Sequence, residues 1–125
     1  MKVVHQRDVP RRNFCPAAEI RLDFDALARR LGVRPHQGKV RVNSTSWSTY
    51  RTVWFALSTG RYANLSQIDS RPSVIEFSLE LQDDEYFHED DLLELIAGIG
   101  IDPDYVKRFQ NDFAWIRSPS AGGGG

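Results

Sequence analysis

Cysteine occurs once in the 125 residues, as Cys15, and lysine three times against thirteen arginines. A single thiol excludes an intrachain disulfide and fits a reducing cytosol. The scarcity of lysine points to a high-GC bacterial genome. No apolar run nears the ~20 residues that cross a bilayer. The opening MKVVHQRDVPRRNF is charged but has no apolar stretch behind it, so a secretory leader is not expected. These absences place the chain in the cytoplasm, with no membrane partner. Catalytic signatures are missing too. There is no HExxH, CxxC, EF-hand spacing, GxGxxG or GxxxxGK[ST]. No metal or cofactor is implied, and enzymatic activity is not expected.

What is present is an ordinary globular composition, 41% apolar and 26% charged. This length suits one domain that can bury a core without a metal or disulfide. The net charge of −1 conceals an asymmetry: residues 1–75 carry 13 Lys/Arg against 5 Asp/Glu, and residues 76–125 carry 3 against 12. Such halves can form an interaction surface, or they can lie against each other and cancel.

Hydrophobic spacing supplies the elements. Residues 1–18, with Pro10 and Pro16, read as a loosely docked arm with one short strand near Val3. A strand is expected over AEIRLDF. DFDALARRLGV predicts a helix capped by Asp23 or Asp25 and stopped by Gly32. From Lys39 the period becomes two. Val53, Phe55 and Leu57 point one way in the next strand, and Tyr50, Thr52, Trp54 and Ala56 the other. STGR at 58–61 predicts a hairpin turn with Gly60 at positive φ. Ile75, Phe77, Leu79 and Leu81 define the inner side of a further strand. DDEYFHEDDLLELIAGIG predicts a helix with acids in its first turn. IDPDYVKRFQNDFAWI predicts a second, capped by Asp102 with Pro103 at N1. The expected fold is α+β: an antiparallel sheet of three to five strands, with an N-terminal helix and a C-terminal helix pair on one face. The domain spans 19–117, and the Ser/Gly tail 118–125 is taken as flexible.

Two stretches are candidate contact surfaces. NSTSWSTYRTVWFALSTGRY, residues 43–62, mixes aromatic rings and arginines with many hydroxyls. If helices cover one sheet face, Trp47, Tyr50, Arg51 and Trp54 are candidates for the other, near Arg41 and Arg61. Trp, Tyr and Arg make protein hot spots, and the same set stacks on bases. They are also plain strand formers. The second stretch runs from Glu76 to Asp104 without a lysine or arginine. Asp83, Asp84, Glu85, Glu89, Asp90 and Asp91 there could dock a basic partner or simply face solvent.

Compact α+β, one domain, acidic and without a catalytic motif, the chain is similar in type to small bacterial immunity or inhibitor proteins. The leading expectation is therefore a non-enzymatic protein-binding module of that kind, with a basic protein as partner. The first alternative is nucleic-acid or small-molecule binding through the aromatic and arginine-bearing sheet face. The second is an enzyme or enzyme subunit whose site gathers His36, His88 or Cys15.

Overall fold

The structure is a computed structural model that describes residues 1–110 and 113–117. The main sheet has seven strands: β1 (Lys2–Val4), β2 (Phe14–Arg21), β3 (His36–Arg41), β4 (Trp47–Ala56), β5 (Tyr62–Ile68), β6 (Val74–Glu80) and β8 (Lys107–Arg108). Among the described residues two α-helices accompany it, α1 (Phe24–Leu31) and α2 (Glu89–Ile99). A second sheet pairs β7 (Tyr86–His88) with β9 (Ala114–Ile116) in parallel.

Strands β4, β5 and β6 form an antiparallel meander, and β2 and then β8 extend it beyond β6. On the inner face Phe55, Leu65, Ile75, Phe77 and Leu79 are buried, as their alternation requires. Phe24 and Leu27 of α1 and Leu92, Leu95, Ile96 and Ile99 of α2 join the same core cluster. Both helices thus cover one side. Local chemistry sets their ends. Asp23 accepts from the Asp25 N–H at 3.0 Å to start α1, and Gly32, at φ 67°, ends it. Gly100 ends α2 at φ 77°. Arg30 of α1 donates to the carbonyls of Ile99 and Gly100 at 2.7 and 2.8 Å, tying the two helix ends together. The hairpin at 58–61 forms as expected, with Gly60 at φ 87°.

Two architectural expectations are overturned. The sheet has seven strands, not three to five, and the C-terminal helix pair is a single helix. Asp102 does cap a turn, accepting from the Asp104 N–H at 2.9 Å, but the turn is one 3-10 unit, Pro103–Tyr105. Val106 is already extended, and β8 pairs with the open edge of β2. That edge offers backbone groups that need partners, and satisfying them outweighs the helical spacing of Val106, Phe109 and Phe113. Further on, Trp115 packs against Phe87 with ring centroids 5.2 Å apart. Residues 111–112, inside the expected helix, and the tail 118–125 lie outside the described residues. Helix α2 also starts later than its acids suggested, because Asp83–Glu85 form a turn before β7.

The arm differs in its second half. β1 is the short strand expected near Val3, but β2 already begins at Phe14. Pro16 is tolerated there because the pairing with β6 shifts register between Pro16 and Ala18.

Candidate functional site: a cleft at the split edge of the sheet

Strand β4 is the longest in the sheet, and no single strand covers its free edge. β3 pairs with it from Trp47 to Thr52, and β1 from Trp54 to Ala56. Both run antiparallel to β4, so the end of β1 meets the beginning of β3 with Val53 opposite the junction. Each segment turns away there for a local reason. After Val4 the chain enters the 3-10 turn Gln6–Asp8, closed by the Asp8 N–H donating to the His5 carbonyl at 2.9 Å. Before His36 stands Pro35, which has no N–H and holds Arg34 extended. The junction opens into a cleft of about 680 Å³ whose walls include Val4, His5, Arg7, Arg34, His36 and Trp54. Among the described residues no Asp or Glu lines it, and neither Arg7 nor Arg34 has an ion-pair partner.

From this edge a groove of about 320 Å³ runs across the helix-free face of the sheet. Register arranges its floor in two rows, Trp54–Asn64–Ser78 and Thr52–Ser66–Glu76, each crossing β4, β5 and β6. Trp54 meets Phe14 edge-on at 5.0 Å, and its Nε1 is buried without an acceptor. Tyr50 lies over Gly38, where a β-carbon would come within 2.5 Å of the phenol oxygen. Glycine in the middle of β3 is what admits the ring.

The candidate residues divide. Tyr50 and Trp54 stand on this outer face, as their alternation required. Arg51 does not. It points to the helix side, bonding Asp25 and Gln67 over the Phe24 ring. Trp47 is 58% exposed at the far end of β4, stacked by Arg41 at 5.0 Å. Arg61 reaches the opposite face to hold Asp91. The cations beside the rings are instead Arg7 and Arg34, flanked by His5 and His36. Of these four the sequence had suggested the two histidines, as bases for Cys15, and neither arginine. A readable trace of the arrangement was Gly38, a glycine inside an alternating strand, which often marks close approach of another group.

The acidic stretch is largely used within the fold. Asp91 is fully buried, accepting from Arg61 at 2.7 and 3.1 Å and from Thr59 at 3.0 Å. Glu89 is paired with Arg108. Glu80 bonds Arg12 at 3.0 Å, and Glu76 bonds Arg71 at 3.2 Å. Burial pushes the Glu94 carboxyl up, but hydrogen bonds from the Ser58 hydroxyl and N–H and the nearby terminal ammonium outweigh it, leaving the pKa lowered. Three of these pairs, Arg12–Glu80, Arg61–Asp91 and Arg71–Glu76, join the basic half of the chain to the acidic one. Asp83, Asp84 and Glu85 remain exposed in one turn, and Asp90 is half-buried. Asp83 accepts from the Tyr86 hydroxyl at 3.0 Å, which raises the pKa of that phenol.

Cys15, His36 and His88 sit on β2, β3 and β7. Cys15 packs against the core, His36 borders the cleft, and His88 precedes α2 with its Nδ1 buried and unbonded. Among the described residues no three His, Cys, Asp or Glu side chains gather as a metal site, and no helix is long and apolar enough to cross a membrane.

No family model matches this chain, and neither does any curated protein or solved structure.

Proposed function

We propose that this chain is a non-enzymatic binding module that takes an anionic small molecule into the cleft at the split edge. The observation that supports this reading most is the wall composition: Arg7, Arg34, His5 and His36 line the cleft, and among the described residues no carboxylate does. Among the described residues Arg12, Arg51, Arg61, Arg71 and Arg108 have acid partners, whereas Arg7 and Arg34 have none and share one cleft. Guanidinium suits phosphate and carboxylate because its donors are planar and paired. The protein-inhibitor reading draws less support, since Glu89 and Asp91, two of the candidate docking acids, already have arginine partners.

Inorganic pyrophosphate is a suitable probe at low salt, where surface charge is least screened. At 100 times its Kd it stabilises the folded chain by about 2.7 kcal/mol, a rise of several degrees in Tm. Arg34→Glu abolishes that rise. Equal melting curves with and without millimolar pyrophosphate, for both proteins, would remove the proposal.

A further inference from the structure

The cleft does not end at its charged walls. Gln6, Thr52 and Trp54 line both the cleft and the groove on the outer sheet face, so the two are continuous. Resting on the reading of the cleft as an anion site, we propose that the ligand is a nucleoside phosphate, with its phosphate at Arg7 and Arg34 and its sugar and base along the groove.

The floor of the groove argues for this class. Thr52, Asn64 and Ser78 are buried at 5, 7 and 9% exposure, and Ser66 is half-buried beside them. Among the described residues none of these four side chains makes a hydrogen bond within the chain. The Trp54 indole N–H is a fifth polar group without a partner. An acyl chain laid here would strip these groups of water and return nothing to them. A nucleoside carries ring nitrogens, exocyclic groups and sugar hydroxyls that answer them, and a flat face that stacks on Trp54 or Tyr50. From β4 to β6 the floor is about 10 Å wide, two inter-strand spacings, room for sugar and base side by side. Orientation follows from charge. Glu76 closes the far end, where it shares Arg71 with Glu19, so the guanidinium there is already engaged by two carboxylates and a phosphate is drawn to the Arg7 and Arg34 end instead.

Calorimetric titration of the full chain at low salt separates this inference from the one beneath it. The probes are pyrophosphate, adenosine, and the monophosphates of adenosine, guanosine, cytidine and uridine. At least one monophosphate is expected to bind about tenfold or more tighter than pyrophosphate. In the wild type it shifts the Trp54 indole N–H cross-peak, assigned by its loss in Trp54→Phe, while pyrophosphate leaves that peak in place. Arg34→Glu weakens the monophosphate without moving the indole peak of the free protein. If pyrophosphate binds and no monophosphate binds tighter, the nucleoside inference falls and the anion cleft stands. If neither class binds, both fall.

Discussion

Asp91 and Arg34 are both charged, and their surroundings are opposite. Asp91 is sealed from solvent between Arg61 and Thr59. Arg34 is exposed on a cleft with no acid among the described residues of its walls. The helix side of the sheet is packed with apolar residues, and Arg51, Arg61 and Glu94 have their charged partners there. The outer side and the split edge hold hydroxyls, an amide, an indole N–H and two guanidinium groups that no side chain among the described residues answers. One region has its interactions completed by folding, and the other leaves them open, which is the physical condition for binding something else.

Removing one partner of the completed region is expected to do the most damage. Asp91→Ala leaves Arg61 facing a low-dielectric gap, and breaking a buried pair in this way costs about 3–5 kcal/mol. Urea denaturation reads this directly, and a loss below about 1 kcal/mol would mean that the pair is far more hydrated than its burial indicates. At the border between the regions, Gly38→Ala drives a methyl into the Tyr50 ring. Overpacking of this kind costs about 1–3 kcal/mol. A neutral result would show that Tyr50 swings off the strand at little cost, leaving the groove rim unformed.

Arg34→Glu tests the open region. It is expected to change stability by no more than about 0.5 kcal/mol while abolishing the thermal shift by pyrophosphate. If it destabilises as strongly as Asp91→Ala, Arg34 belongs to the completed region and the contrast collapses. The smallest effect is expected at Glu94, a partly exposed acid with a lowered pKa. A depressed carboxyl stabilises the fold above its unfolded pKa, and that contribution disappears as pH falls through the folded value. The Tm gap between wild type and Glu94→Gln should therefore be largest near neutrality and close in acid. A gap that stays constant with pH would show that Glu94 acts through packing rather than charge.

The sequence reading succeeded where the deciding interactions are local. Asp23 and Gly32 mark the ends of α1, Gly60 marks the hairpin, and strict alternation sent Phe55 inward and Trp54 outward. It failed where a distant backbone edge competed with local spacing. Val106, Phe109 and Phe113 have helical periodicity, but the unpaired edge of β2 draws residues 107–108 into a strand. The rings of the candidate site were legible and its cations were not. Arg51, beside Tyr50 in sequence, points to the opposite face, whereas Arg7 and Arg34 reach the cleft from segments far from Trp54 along the chain.

Sequence alone settled the faces of β4 and β6, the ends of α1 and the turn at Gly60, because each depends on residues within a few positions of one another. Tertiary structure decided which edge strands meet along β4, which acids each arginine neutralises, and which cations are left over. Those outcomes depend on pairings between residues many positions apart, and a run of side chains does not by itself say which backbone it will lie beside.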